Sequence, residues 1–246
     1  MLEGLNTAAA GMAAQRQRLD AIANDLANAN TTGYKHVRVG FRDLVYSQAG
    51  RPGADGVRTG AGSAAVFAGR SMAQGSLQRT DRPLDVALQG EGFLRVTMPD
   101  GRDALTRDGS LHVNGNGVLT TSTGSVVTPR ITFPPGTGEK DIEIGGDGAI
   151  SVRGQRVGEL QMLTVRSPER MDPVGDNAFV PTAQSGAVVA APRATTLAQG
   201  ALEASNVDMS EAMVSMIEAQ RSFELASKAI NTADQMMEIA NGIKRG

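Results

Sequence analysis

None of the 246 residues is a cysteine. Disulfides, thiolate metal sites and cysteine catalysis are therefore excluded. Tryptophan is also absent, aromatics make up 3% of the chain, and histidine occurs twice, as His36 and His112. Charge of one sign is missing as well: 24 Lys and Arg face 26 Asp and Glu, a net of -2. A polyanion binder normally shows a basic surplus or stripe, so this balance argues against nucleic acid as a partner. No apolar run approaches the ~20 residues of a membrane span. The N-terminus lacks a secretory pattern, with Glu3 early and the first basic residue at Arg16. With 30 glycines and so few aromatics, many turns and a sparsely aromatic core are expected. The length suffices for one large domain or two small ones.

Chemistry-bearing motifs are equally scarce. Gly60-Ala61-Gly62-Ser63-Ala64-Ala65 fits the loose GxGxxA dinucleotide pattern, yet it follows no predicted strand and opens no strong helix, so it reads as linker. Gly145-Gly146-Asp147-Gly148 has the composition of one calcium-repeat loop, but a single copy cannot build that site and a hairpin turn is expected instead. His36 and His112 have no Cys, His or paired carboxylate at metal-ligand spacing. The members of a Ser–His–Asp triad need not be adjacent in sequence, but with two candidate histidines and no nucleophile elbow nothing in the chain favours one. The reading is a non-enzymatic protein with no catalytic residue, cofactor or metal.

What the chain does carry is heptad order at both ends. Leu5, Met12, Leu19 and Leu26 recur every seven residues, with Ala8, Ile22 and Ala29 three positions later and Gln15 interrupting that second row. A helix is expected over 2–29, stopping in Asn28-Ala29-Asn30-Thr31-Thr32-Gly33, where Asn and Gly favour left-handed backbone. Over 206–243 the order is stronger. Met209, Met216, Phe223, Ile230 and Met237 hold one heptad position, and Ala212, Ala219, Ala226, Ala233 and Ala240 follow three residues after each. Large residues alternating with Ala allow close helix approach, and the Met stripe reads as packing in preference to metal binding. Asp208 with Glu211 offers an N-terminal cap, and Lys244 and Arg245 suit the far end of the dipole.

Between the helices the period falls to two. Strands are expected at 85–89, 93–98, 109–113, 142–144 and 158–165, punctuated by Asp100-Gly101, Asp108-Gly109, Asn116-Gly117 and Asp147-Gly148 as tight turns. Residues 47–76, rich in Gly, Ala and Ser, read as an extended or loop-like connector. The predicted fold is α+β. Long N- and C-terminal helices pair in a coiled-coil-like core, and a central antiparallel β domain lies between them in sequence. The expected divisions are 1–35, an N-terminal assembly helix with its turn; 36–81, the connector; 82–200, the β domain; and 201–246, a C-terminal assembly helix. At 1.5 Å per residue the helices run about 40 and 55 Å, longer than a β domain with a radius of gyration near 14 Å can cover. Neighbouring copies joined through unlike surfaces would make a ring or a helical filament.

Both ends also carry recognisable signatures. The run Ile22-Ala23-Asn24-Asp25-Leu26-Ala27-Asn28-Ala29-Asn30-Thr31-Thr32-Gly33-Tyr34-Lys35 resembles the N-terminal signature of bacterial flagellar rod and hook proteins. Leu202-Glu203-Ala204-Ser205-Asn206-Val207-Asp208, with Ala219-Gln220-Arg221 further on, is similar to their C-terminal one. The residues that carry the likeness are Asn24, Leu26, Asn28, Thr32, Gly33, Ser205, Asn206 and Val207. Within the family the likeness is greatest to members of the distal rod, through 93–101 and through Asp43-Leu44-Val45-Tyr46 followed by Arg51-Pro52-Gly53-Ala54. Arg82-Pro83-Leu84-Asp85-Val86-Ala87 matches proximal members as well.

The resemblance implies a structural subunit of the basal-body rod, exported by the flagellar export apparatus without a cleaved signal. It implies a hollow tubular polymer that crosses the periplasm and transmits motor torque to the hook. Its partners would be further copies of the chain, neighbouring rod and hook proteins, and the rings around the rod. The alternatives from other classes are a hydrolase acting on the cell wall and an extracellular coiled-coil adhesin.

Overall fold

The computed structural model describes residues 2–44, 47–48, 58–60 and 62–243. Val45-Tyr46, Arg51 to Ala54, Ala61, Lys244 and Arg245, used above, lie outside the described residues. Contacts within the chain group it into two units. One takes in residues 1–27, 37–68 and 208–246, the other residues 28–36 and 69–207.

In the first unit, helix α1 (Leu2–Ala27) packs along helix α2 (Met209–Ile243). Neither contains proline, and both are rich in Ala, the best helix former. Ala14 and Ala219 are buried, and Arg18 pairs with Glu218 at 3.8 Å. Asp208 caps α2 as expected: its Oδ1 accepts from the backbone N–H groups of Ser210 (2.8 Å) and Glu211 (3.1 Å). The stretch read as connector is not free of pairing. Strand Val37–Asp43 pairs with Ser63–Arg70, and Ser47–Gln48 with Arg58–Thr59. Val37, Val39 and Phe41 do alternate with Arg38, Gly40 and Arg42, but the partner strand, SAAVFAGR, is a run of small and apolar residues without that alternation, and it concealed the pairing.

The second unit is antiparallel β throughout its named ladders. Its largest sheet has nine strands, with Phe93–Thr97 near the middle, flanked by Asp103–Thr106 on one side and by Val126–Val127 and Met162–Thr164 on the other. A three-stranded meander (Ile142–Ile144, Ala149–Val152, Gln155–Glu159) and two ladders complete it: Val86–Gln89 with Thr196–Gln199, and Leu77–Arg79 with Ala201–Glu203. Period-two alternation sorts the central strand. Leu94 and Val96 point into the main core with Leu111, Leu119 and Ile150, while Phe93 joins Leu105, Val165, Met171 and Phe179 in a smaller cluster. Phe93 and Phe179 meet edge to face, with centroids 6.3 Å apart.

Two sequence expectations are corrected here. The single strand over 158–165 is two strands, Gln155–Glu159 and Met162–Thr164, in different sheets. The buried Leu160 between them donates its N–H to Gly148 O, which ends one ladder before the next begins. Asp108-Gly109 is not a tight turn. Gly101, Gly117 and Gly148 have positive φ, but Gly109 does not. A side chain at 109 would collide with the carbonyl of Val86, which accepts no such neighbour, so this glycine serves close approach. Gly145–Gly148, by contrast, makes the expected hairpin turn, with Gly148 N–H bonded to Gly145 O at 3.0 Å.

Leu119 has no solvent exposure and sits in the main core. Leu119→Ala should lower unfolding free energy by ~2–5 kcal/mol through lost transfer energy and a residual cavity. Urea denaturation should show a lower midpoint with an unchanged slope.

Candidate assembly site

Within the second unit, the segment that continues into α1 and the segment that continues into α2 are bound to each other. The cause is one residue. Glu203 lies on strand Ala201–Glu203 at the inward parity of that strand, with Ala201 and Glu203 buried and Leu202 half-buried. Its carboxylate is 1% exposed, so water cannot stabilise it. The protein supplies the donors. Lys35 Nζ donates to Oε1 at 2.5 Å, the Gly75 N–H donates to the same oxygen at 2.9 Å, and Arg107 Nη1 donates to Oε2 at 3.0 Å.

Each cation is held from its other side. Lys35 also donates to Ala73 O at 2.7 Å, and Arg107 Nη2 to Gly90 O at 2.7 Å. The Arg107 guanidinium stands 5.4 Å over the Phe93 ring. Arg70 lies 5.3 Å over Tyr34 and donates to Lys35 O at 2.8 Å. Burial pulls the Lys35 ammonium below the ordinary lysine range. Glu203 pushes it back up through charge and hydrogen bond, and Arg107 lowers it again. The two cations and the one anion are all buried, and each is held by the others and by backbone groups.

Backbone and amide contacts extend this clasp. The Gly33 N–H donates to Glu203 O at 2.8 Å. Asn206 Oδ1 accepts the His36 N–H at 2.8 Å, and its Nδ2 donates to Ser71 O (2.8 Å) and Ala73 O (3.0 Å). Gly33 has φ +67°, and a Cβ there would stand 2.8 Å from the backbone of Arg107 and Asp108. Only glycine satisfies both demands. Thr32 Oγ1 donates to Asp108 Oδ1 at 2.9 Å, and Thr32 O accepts from Asn177 Nδ2 at 2.7 Å.

The signature residues thus fall into distinct roles. Thr32, Gly33 and Asn206 are in the clasp, and Ser205 Oγ accepts the Val207 N–H at 3.2 Å beside it. Asn28 holds the turn after α1, accepting from Thr31 Oγ1 at 3.2 Å. Asn24 is exposed on α1, while Leu26 and Val207 are half-buried. The heptad residues are placed apart from the clasp, on α1 and α2. Leu5, Met12 and Leu19 are half-buried and Ile22 is buried. On α2, Ala219 is buried; Ala212, Met216, Ala226, Ile230, Ala233 and Met237 are half-buried; Met209 and Phe223 are exposed. The Ala240 side chain lies outside the described residues. Lys35 and Glu203 lie inside the two terminal signatures, which assign them no site, and nothing in the sequence joined either to Arg107. No strand was expected at Ala201–Glu203, so the buried parity of the acid emerges only from the structure.

Three family models match the chain. "Flagella basal body rod protein" covers residues 5–35, "Flagellar hook protein FlgE/F/G D1 domain" covers 87–152, and "Flagellar basal body rod FlgEFG protein C-terminal" covers 198–243. The chain is 40% identical over 264 aligned positions to the flagellar basal-body rod protein FlgG of Borreliella burgdorferi, covering 100% of both. It is 37% identical to FlgG of Caulobacter vibrioides, over 99% of this chain and 100% of that one. FlgG of Bacillus subtilis is 32% identical over the whole of both chains.

Two outcomes test the clasp. Glu203→Gln leaves two buried cations without an anion and should cost ~3–5 kcal/mol of stability. Adding Lys35→Met should recover part of that loss, a coupling that a double-mutant cycle of urea midpoints reads directly. The second concerns Asp108, whose carboxyl is raised above the ordinary aspartate value by burial, against the hydrogen bonds from Ser110, Thr32 and Ser122. The folded state therefore holds this proton more tightly than the unfolded state. Asp108's contribution is fully present below the ordinary value, near pH ~4, and is lost as pH rises through the raised one. Asp108→Asn keeps an acceptor for Thr32 and Ser110. It should remove that component of the pH dependence without lowering stability at pH 7, as thermal melts across pH 3–8 will show.

Proposed function

The chain belongs to the FlgG-type flagellar basal-body rod proteins, and on that footing we propose how it is built to act. It is a structural rod subunit, not an enzyme, and the hydrolase and adhesin alternatives fall away with the family. The distal rod fits the assignment.

Copies of the chain polymerise into a hollow tube through α1 and α2, which pair lengthwise in the manner of a coiled coil and meet the helices of neighbours. The β domain, residues 82–200, forms the outer layer, and the terminal segments 1–35 and 201–246, through their helices α1 and α2, form the inner one. The observation that carries this reading is the state of α2. Beyond its heptad row it leaves Met213, Val214, Ile217, Leu225, Met236 and Ile239 exposed, with Leu225 at 67%. An apolar surface of that extent on one helix is costly unless it is covered. A tube of identical subunits covers it in every copy, through a heterologous contact that propagates.

In this role the tube crosses the periplasm and carries motor torque to the hook. The subunit reaches its place through the flagellar export apparatus without a cleaved signal. Its neighbours are other rod and hook proteins and the rings that surround the rod. The signature residues Thr32, Gly33 and Asn206 serve to hold the segments leading into the two helices, and the heptad residues form the assembly seam. No membrane span enters into this: no described helix is long and apolar enough to cross a bilayer.

Ala226 lies in the small row of α2. Ala226→Leu should block rod formation while leaving the melting transition of the β domain intact, since overpacking costs ~1–3 kcal/mol per contact and a polymer repeats it in every subunit. Electron microscopy of basal bodies from a strain carrying only the variant gives the answer, and normal rods would refute the seam.

A further inference from the structure

We propose that Met213 and Met236, with Met209 beside the first, are sites of sulfoxide formation by peroxide in the free subunit, and that the modified subunit is unfit for the rod. The consequence for assembly rests on the rod reading; the chemistry at the sulfurs does not. The chain has no cysteine, so no thiol competes for a two-electron oxidant and the thioethers become its principal targets. The lone pair of a methionine sulfur attacks the O–O bond of hydrogen peroxide and takes one oxygen. The other oxygen leaves as water, so the sulfur is oxidised by two electrons and the peroxide is reduced by two.

Exposure separates the 11 methionines. Among the described residues three are exposed, and all three stand on α2: Met213 at 55%, Met236 at 53% and Met209 at 49%. Met171, in the smaller core cluster, is 3% exposed, and the other described methionines are half-buried. Met209 and Met213 are four residues apart, which makes them neighbours on one face near the start of α2. Met236 lies near its end, about 35 Å further along at 1.5 Å per residue. The oxidisable positions thus mark both ends of the helix. The exposed apolar residues between them, Val214, Ile217 and Leu225, are hydrocarbons that peroxide leaves alone.

A sulfoxide turns a flexible apolar side chain into a polar one with a strong acceptor oxygen. On an open surface water satisfies that oxygen. Under a neighbouring copy it must be given a donor or stay unpaired, and an unpaired polar group is costly to bury. Val214 and Ile217 beside Met213, and Ile239 one turn beyond Met236, carry no donor in their side chains. Once a copy is in the rod, the contact that covers the face also keeps the oxidant from the sulfurs. Oxidation is therefore confined to the interval before assembly, and it rejects the subunit while sparing the tube.

The free full-length chain is treated with dilute hydrogen peroxide, and sulfoxide at each methionine is followed by peptide mass spectrometry. Met213, Met236 and Met209 should oxidise at least about tenfold faster than Met171. Equal rates would overturn the sites, whatever the chain assembles into. Absence of the chain from basal bodies would instead overturn the rod reading and leave those rates standing. For the consequence, Met213→Gln with Met236→Gln places a polar amide where the sulfoxide would stand and should reduce rod number several-fold. Met213→Leu with Met236→Leu should build rods normally in cells treated with peroxide. Normal rods from the Gln pair overturn the consequence. If the Leu pair builds no rods, the unaltered chain decides. In peroxide-treated cells its unassembled copies should carry sulfoxide at Met213 and Met236 and its rods should not; equal content in both overturns the proposal.

Discussion

A carboxylate removed from water must be given its hydrogen bonds by the protein, and Glu203 obliges the surrounding chain to do so from three directions. Lys35 comes from the segment after α1, Arg107 from a loop of the large sheet, and Gly75 from the approach to the Leu77–Arg79 ladder. Their own unmet groups then demand Ala73, Gly90 and the ring of Phe93. Such a cluster adds little net stability over an apolar one of the same shape, because desolvation offsets the attraction. What it does supply is uniqueness of position. Apolar side chains tolerate a slide of an ångström, whereas a lysine and an arginine sharing one buried acid do not.

The two units show contrasting economies. The β unit is saturated: alternating side chains fill a large core and a smaller one, and backbone ladders leave few loose ends. The helical unit keeps part of its apolar surface in the open. That division agrees with the proposed role, in which the helices' open apolar surface is covered by neighbouring copies.

How much of this was legible in the sequence depended on whether a residue's environment repeats. Helices α1 and α2 were visible because apolar and small residues recur each heptad in the sequence, and Asp208 was visible as a cap because its partners are two and three residues away. The ladder of Val37–Asp43 with Ser63–Arg70 was not, since the second strand, rich in Ala and Gly, shows no period of two. Gly109 was misread as a turn because a glycine needed for close approach and one needed for positive φ look the same in a sequence. Lys35, Arg107 and Glu203 are separated by 168 residues at the extremes, and nothing local marks them as partners.

Position along the chain gives Glu203 one more consequence. It lies in the last fifth of the polypeptide, yet the cations it neutralises come from much earlier. Without residue 203 the Lys35 ammonium and the Arg107 guanidinium lose the one carboxylate that both bind, and the strand Leu77–Arg79 loses its partner, so the β unit is tied together through its last strand.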